Sequence, residues 1–376
     1  MCRLFALTAS EPVSPMLALR ALDVMREGHD GSGVGLFLSG LGDPWTAYAD
    51  KPILSGICTH QGLRRLDGAM KEWGFTPLME LPIKPHGPLP RWTPKRDVYV
   101  VRVYDYPEHL AAVPDTEREL ALVRTRLELR HMGLENEDII VFSFWPGVIM
   151  IKEIGDPLQV GEYLGLDRED LFCRTMLAQG RQNTNYAINL YACHPFFIQG
   201  ISTMTNGENT AFVPIRDFLA SQGIPGYEGY QSDSEVFTHI LHYTTKVLGL
   251  PLEAYKHIIT PLKDHEIEGH PQQAFLARLK QLCRRLIIDG PNCVIGCLPD
   301  ETMFMVHDSK KLRPGVVGGR PGLFAFSSEI CGLDFAIPDR DRTRDIQPMH
   351  LDTAIVGPSR QEVRVCQQTQ PLPLHS

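Results

Sequence analysis

A thiol stands at the second position of this chain and an apolar run follows at once, so that Cys2 leads directly into the strand-like stretch Arg3-Leu-Phe-Ala-Leu7. The run Leu4 to Leu7 is too short for a secretory core, which needs roughly 7 to 15 apolar residues. Ser14 followed by Pro15 reads as a helix start, Met16 to Glu27 as the helix and Gly28 as its stop. The glycine-rich turn Gly28-His-Asp-Gly-Ser-Gly33 then feeds a second strand, Val34-Gly-Leu-Phe-Leu-Ser39. The N-terminus is therefore expected to be built into a sheet.

Residues 41–97 are rich in Pro and Gly with weak periodicity and read as an irregular insertion. Val98 to Tyr104 alternates as a strand does, and Thr116 to His131 carries helical spacing with Gly133 as its stop. Ile139 to Trp145 and Val148 to Ile151 read as a hairpin about Pro146-Gly147. Helices are expected from about Glu235 to Leu248 and from about Pro271 to Ile287, with strands near Cys293 to Leu298, Thr302 to Val306 and Leu323 to Phe326. The polar last thirty or so residues, with Pro371 and Pro373, read as an appended tail.

Composition removes several classes of function. With 37 basic and 45 acidic side chains the formal net charge is −8, opposite to the surplus a general nucleic-acid binder needs. Apolar residues at 43% and charged ones at 22% fit a folded chain rather than a disordered one. The apolar, uncharged stretch Ile139 to Ile151 has thirteen residues and contains Pro146 and Gly147, short of the roughly 20 that span a bilayer. No membrane segment is expected, and the cytoplasm is the expected location. The nine cysteines show no close pairing beyond a single Cys293-x-x-x-Cys297, so eight read as reduced, mostly buried thiols. His239 and His242 share a helix face with no acidic or cysteine partner at ligand spacing, so no metal site is expected.

Cys2 differs from the other eight. Initiator methionine is normally removed when the next side chain is small, which leaves a cysteine bearing both a thiol and a free α-amine. Reference pKa values of about 8.5 for a thiol and about 8 for an α-amine let the neutral amine take the thiol proton near neutral pH, directly or through a water. A chance cysteine at this position would do none of this, and the rest of the chain decides between the two.

An ordered series of motifs decides it: Arg181-Gln-Asn-Thr-Asn185, Ala192-Cys-His-Pro-Phe196, Thr205-Asn-Gly-Glu-Asn209, Ser232-Asp-Ser-Glu-Val236, then Lys311-Leu-Arg-Pro314 with Ser327-Ser-Glu329. With Cys2, the series resembles the class II glutamine amidotransferases, N-terminal nucleophile (Ntn) hydrolases that begin Met-Cys and free ammonia from glutamine. In that family an R-x-x-T segment lies thirteen residues before the central residue of an A-[QH]-P motif, and an N-G pair follows twelve residues later. Here Arg181 to His194 is 13 positions and His194 to Asn206 is 12. Within the family the likeness is to the glutaminase domain of glutamate synthases, through Gly147-Val-Ile-Met-Ile-Lys152, Arg-x-x-Thr-Asn and Asn-Gly-Glu. It runs from Met1 to about Leu333, loosely over 41–97. Gln182 stands where the family usually has an aromatic, and Thr205 where it usually has a histidine.

The resemblance implies an α+β fold, the four-layer αββα sandwich of Ntn hydrolases, with an inserted α+β elaboration at about 41–140. One amidotransferase domain over 1–340 and a C-terminal tail over 341–376 are expected. It makes Cys2 the nucleophile, with the Asn206 side chain and the Gly207 N–H as oxyanion donors, groups each worth about 2.7 to 4 kcal/mol when fixed in advance. Free glutamine needs a cation for its α-carboxylate and an anion for its α-ammonium, and Arg181 and Asp233 fit those tasks. Thr184 and Asn185 would add hydrogen bonds to the carboxylate, and His194 reads chiefly as structural. Asn-Gly also reads as a hairpin turn and Ser232-x-x-Glu235 as a capping box.

The implied reaction is glutamine plus water to glutamate plus ammonia through a γ-glutamyl thioester. No phosphate-cradling loop, flavin-binding region or iron–sulfur cysteine series is found, so no cofactor is expected in this chain and a flavin-bearing synthase subunit is the expected partner. The alternatives are an amidotransferase subunit for another acceptor, as in the related N-methylglutamate synthases, another Ntn hydrolase cleaving a different amide, and an inactive regulatory subunit of the same fold.

Overall fold

The computed structural model describes residues 2–87, 98–182, 188–227 and 232–374. The chain lays down β1 (Arg3–Val13), turns through helix α1 (Met16–Asp23) and returns as β2 (Val34–Leu41). It then leaves for a separate unit of β3 (Pro52–Cys58), α2 (His60–Glu72), β4 (Thr76–Glu80), β5 (Val98–Asp105), α3 (Glu108–Ala111), α4 (Asp115–Asn136) and β6 (Ile139–Pro146). It comes back as β7 (Val148–Glu153), α5 (Pro157–Tyr163) and β8 (Cys173–Gly180). The second half supplies β9 (Phe196–Ile198), β10 (Ile201–Gly207), α6 (Phe212–Ser221), α7 (Glu235–His242), α8 (Leu252–Ile259), α9 (Asp264–Glu268) and α10 (Gln273–Leu282). It ends with β11 (Asn292–Cys297), β12 (Met303–His307), β13 (Val316–Arg320), β14 (Leu323–Ser327), α11 (Ile330–Ala336), β15 (Asp352–Val356) and β16 (Arg364–Gln367).

Two six-stranded antiparallel sheets form the body, ordered β13-β14-β1-β8-β2-β7 and β16-β15-β12-β11-β10-β9. The pleat assigns their faces. Along β11, Cys293, Ile295 and Cys297 join the core shared with the first sheet, whereas Val294 points the other way into a cluster with Val236, Phe237, Ile240 and Leu241 of α7. Helices α1, α5 and α11 cover the first sheet, and α6, α7, α8 and α10 the second. The result is the αββα sandwich expected from the resemblance. β1 lies inside its sheet, between β14 and β8, so Cys2 is delivered at the end of a fully paired strand.

Several sequence expectations change. Residues 41–97 are not irregular in their described part: they carry β3, α2 and β4, and with β5 and β6 build a third sheet ordered β4-β5-β3-β6. β6 and β7 do not form a hairpin, because β6 pairs with β3 and β7 with β2. Gly147, at φ +64, is the corner where the chain passes from one sheet to the other. Gly133 does not stop α4, which runs on to a left-handed Glu137. A Cβ on Gly133 would meet the Ile139 carbonyl at 1.9 Å, so this glycine serves close helix–strand packing. The stretch 341–376, expected as a tail, contributes β15 and the edge strand β16, and an edge strand is polar because one side faces water. Buried Arg360 of the same stretch ion-pairs with Glu301 and donates to Thr8 Oγ1 at 2.7 Å, tying it to β1.

A chain ended after Met349 exposes the pairing edge of β12 and strips Arg360 from Glu301. Expressed beside the full chain, it is expected to be insoluble or to unfold at markedly lower temperature; an unchanged melting temperature would show that β15 and β16 do not matter to the fold.

Candidate active site

Four segments far apart in sequence meet at one end of the sandwich. Cys2 precedes β1; Arg181 and Gln182 follow β8, paired to β1 through Arg3 and Gly180; Thr205 and Gly207 close β10; Ser232, Asp233 and Ser234 precede α7. All of them, with His194, Glu208 and Asn209, line a single cavity of about 360 Å3, within the usual size range of small-molecule sites.

The Cys2 thiol sits against the backbone of Gln182, accepting its N–H at 3.4 Å and facing its carbonyl at 3.7 Å. Burial pushes the thiol pKa up, while the Gln182 N–H and the Arg181 guanidinium pull it down. It therefore holds its proton until a base takes it. Beside it, Arg3 pairs with Glu329 at 2.7 Å, which gives the Ser327-Ser-Glu329 motif a role in anchoring the start of β1.

Arg181 is fixed by the turn that precedes β2. Its N–H donates to Gly33 O at 2.8 Å, and its carbonyl accepts from Asp30 N–H at 3.3 Å and Ser32 Oγ at 3.3 Å. Its guanidinium faces the Cys193 thiol and His194. His194 is a post between the sheets. Its Nδ1 accepts the Thr205 N–H at 3.0 Å and lies 3.1 Å from Gln179 Nε2, which also donates to Thr205 O at 2.9 Å. Gln179 Oε1 accepts the His194 N–H at 3.2 Å. A nitrogen that accepts a backbone N–H carries no proton, and burial together with Arg181 and Lys152 holds the ring pKa well below the ordinary histidine value. His194 is thus a neutral structural acceptor that also lines the cavity. A Cβ on Gly35 would meet the His194 carbonyl at 1.8 Å, so that position must be glycine.

Asp233 accepts the Asn209 N–H at 2.9 Å and the Ser232 hydroxyl at 3.3 Å. Burial raises its pKa against these bonds, and Glu208 adds to the rise. The capping box does not form: α7 starts from Ser234 with no side-chain cap, and the Ser232 hydroxyl accepts the Ser234 N–H at 3.2 Å. The Asp233 carboxylate is therefore turned to the cavity wall rather than to the helix end. Asn206-Gly207 is not a hairpin turn either; it lies in β10, opposite Cys293 and Asn292. A Cβ on Gly207 would stand 2.0 Å from the Pro291 carbonyl, so close packing on β11 demands the glycine there, instead of access to the thiol. Asn206 does not line the cavity but is buried beside it, its Nδ2 without a hydrogen-bond partner among the described residues. Thr184 and Asn185, like Met1, lie outside the described residues.

Reading the motifs alone misses three residues. Gln182 holds the thiol through its backbone, invisible to side-chain motifs. Gln179 sits inside a strand with nothing to mark it. Asn209 lines the cavity with a buried Nδ2 that has no hydrogen-bond partner among the described residues, and its place three residues after Asn206 in the Thr205–Asn209 motif was the available signal. His239 and His242 are buried against Tyr227: His239 stacks on its ring at 4.8 Å, and His242 Nδ1 bonds its hydroxyl at 2.6 Å. Among the described residues no helix is long and apolar enough to cross a membrane, and no group of three His, Cys, Asp or Glu could hold a metal ion.

No protein-family description matches the chain, and no curated protein matches it. Among solved structures, the chain is similar to a glutamine phosphoribosylpyrophosphate amidotransferase from B. subtilis complexed with ADP and GMP, at 10% identity and TM-score 0.45, covering 99% of this chain and 50% of that one. It is also similar to an allosteric regulatory enzyme of purine biosynthesis, at 14% identity and TM-score 0.41, over 58% of this chain and 40% of that one. A third is a glutamine aminotransferase class-II domain protein from Silicibacter pomeroyi, at 14% identity and TM-score 0.32, over 58% of this chain and 84% of that one. The chain thus spans half the length of the first of these and two fifths of the second.

Replacing Gln179 by Leu keeps the volume and strands the Thr205 carbonyl and the His194 N–H. A loss on the order of 3 kcal/mol is expected in denaturant unfolding, since each buried unsatisfied group costs about 1 to 3 kcal/mol. A loss below 1 kcal/mol would show that the Gln179–His194 clamp is not holding the sheets.

Proposed function

We propose that this chain is a class II glutamine amidotransferase that hydrolyses L-glutamine to glutamate and ammonia. One observation carries the reading: a thiol, a guanidinium and a carboxylate, from Cys2, Arg181 and Asp233, share one amino-acid-sized cavity. Arg181 takes the α-carboxylate and Asp233 the α-ammonium, which leaves the side-chain amide to reach the thiol.

The chemistry follows once Met1 is removed. The α-amine of Cys2 takes the thiol proton, and the sulfur attacks the glutamine Cδ, forming a C–S bond and an oxyanion. The Asn206 Nδ2 and the Gly207 N–H are the donors for that oxyanion, and the buried, unpartnered state of Asn206 Nδ2 supports its share. Collapse breaks the C–N bond; the leaving nitrogen takes the proton held by the α-amine and departs as ammonia. A water then gives its proton to the amine and attacks the thioester carbonyl, and glutamate leaves as the thiol is restored. Thr184 and Asn185 keep their proposed places beside the α-carboxylate.

The finer reading is an amidotransferase subunit of a glutamate synthase in the cytoplasm, handing ammonia to a flavin-bearing partner subunit. Its support is the likeness of the Arg-x-x-Thr-Asn, Asn-Gly-Glu and Lys152 segments. Affinity purification of the tagged chain from its own cells is expected to bring down a flavoprotein. A chain recovered alone that hydrolyses glutamine at full rate would count against this reading.

Cys2→Ala is expected to abolish glutamine hydrolysis with an unchanged melting temperature; turnover surviving in this variant would remove the nucleophile assignment. Asp233→Asn is expected to raise KM for glutamine by about 10- to 100-fold with a smaller effect on kcat, the scale of a lost charged hydrogen bond. Because burial raises the Asp233 pKa, the carboxylate is lost on acidification sooner than an ordinary aspartate would lose it. KM should therefore climb as pH falls from neutrality in the native enzyme and stay flat in Asp233→Asn. Parallel profiles would assign the climb to another group.

A further inference from the structure

At the end of the sandwich away from Cys2 lies a larger cavity, of about 590 Å3. The strands that close the glutamine cavity lead to it. β10 has Gly207 at one end and Gly200 in the turn before the other; β8 begins here beside Arg174 and finishes at Gly180, and β2 arrives with Ser39 to Leu41. The seven residues of β10, at about 3.3 Å each, keep the two cavities roughly 20 Å apart. The third sheet completes the walls, since Trp145 and Pro146 end β6 and Gly147 is the corner that opens β7. No cysteine, histidine or lysine is among the described residues that line this cavity, so it is furnished for binding rather than for covalent chemistry.

One wall is aromatic. Phe37 stacks on Phe197 with ring centroids 6.1 Å apart, and Trp145 meets Phe197 edge to face, also at 6.1 Å. Trp45 lines the cavity too, but its Nε1 is spent on the Asp170 carbonyl at 2.8 Å. Trp145 is only 8% exposed, yet its Nε1 has no hydrogen-bond partner among the described residues. A Cβ on Gly200, at φ +80, would stand 3.2 Å from that nitrogen, so the glycine keeps the space beside the indole N–H clear. A withdrawn donor without an acceptor is costly, and a ligand acceptor removes the cost. Charge is confined to the rim. Glu301 binds both Arg174, at 3.2 Å, and buried Arg360, so its carboxylate is taken, whereas Arg174 is half exposed with N–H donors to spare. β1 bulges opposite Arg174, between the pairs Thr8–Thr175 and Val13–Cys173, and the bulge presents Glu11, an exposed carboxylate with no cation partner among the described residues.

We propose that this cavity binds an aromatic α-amino acid whose ring carries a hydrogen-bond acceptor, with tyrosine as the type. The ring lies against Phe37 and Trp145, its hydroxyl oxygen accepts the Trp145 N–H, the α-carboxylate takes the spare donors of Arg174 and the α-ammonium meets Glu11. Three features set this class. A guanidinium and a free carboxylate on neighbouring strands suit a zwitterion better than a ligand of either net charge. From β8, which carries Arg174, to β7, where the Trp145 corner opens, is two strand spacings, about 10 Å, the reach of a ring-bearing amino acid rather than of a short aliphatic one. The space is also larger than that of the cavity read as the glutamine site, about 590 against 360 Å3. The proposal stands apart from the glutaminase reading, because it concerns the other end of the sheets and is read as binding, without turnover.

The test is isothermal titration calorimetry of the full chain with L-tyrosine, L-phenylalanine, L-leucine and hydroxyphenylpropionate, which is tyrosine without its ammonium. L-tyrosine is expected to bind at a single site, with L-phenylalanine about 2- to 10-fold weaker for want of one hydrogen bond and L-leucine not measurable. Trp145→Phe keeps the aromatic packing and loses the N–H, so it should erase the preference for tyrosine over phenylalanine while phenylalanine still binds. Glu11→Gln should weaken tyrosine and leave hydroxyphenylpropionate unchanged. A chain that binds no aromatic amino acid overturns the proposal, as does a tyrosine preference that survives in Trp145→Phe. Tyrosine displaced by L-glutamine would place it in the other cavity and overturn the proposal equally. If Trp145→Phe fails to fold, Arg174→Gln should weaken tyrosine and phenylalanine alike by about tenfold, and unchanged affinities there would overturn the assignment.

Discussion

The cavity that gathers Cys2, Arg181 and Asp233 depends on the bonds that join Gln179, His194 and Thr205. Gln179 belongs to the first sheet and Thr205 to the second, and His194 bridges them, its Nδ1 accepting the Thr205 N–H and lying against Gln179 Nε2. Apolar contact between stacked sheets is non-directional and tolerates sliding. Directional bonds between a strand of each sheet do not. Arg181 follows Gln179 by two residues and Gly207 follows Thr205 by two, so this clamp sets the distance between the Arg181 and the Gly207 sides of the cavity.

The electrostatics of the site repeat one pattern, in which ionisable groups are withdrawn from water so that their charge state depends on neighbours. Burial keeps Cys2 protonated and His194 neutral, and leaves the Asp233 carboxylate dependent on two donated hydrogen bonds. A thiol of this kind reacts only when a base stands beside it, which guards the nucleophile against adventitious chemistry.

Legibility in the sequence followed the range of the interactions. Cys2, Arg181, Gly207 and Asp233 were readable together because the spacing between motifs is fixed by two adjacent sheets, and that spacing is preserved in the chain. The Asn-Gly pair and Ser232-x-x-Glu235 each had a local meaning, a turn and a cap, and in both cases tertiary pairing displaced it: β11 claims Asn206-Gly207, and the Asn209 N–H claims Asp233. The glycine at 133 resembled a helix stop since local rules cannot register a carbonyl of the following strand. Residues 41–97 and 341–376 misled for a shared reason. Short strands at sheet edges, and Pro- or Gly-bounded elements of a small third sheet, bury too few side chains to carry a clean period. Gln179 and Gln182 were hidden because one acts from inside a strand and the other through its backbone.

The central claim is that Cys2 becomes the first residue and attacks glutamine. Intact-mass measurement of the active protein after reaction with an electrophilic glutamine analogue, followed by peptide mapping, tests it most directly. The expected species is the chain lacking Met1 and carrying one adduct on Cys2, with excess glutamine slowing its formation. A protein that turns over glutamine with Met1 retained, or that is labelled at another cysteine while Cys2 stays free, would contradict it.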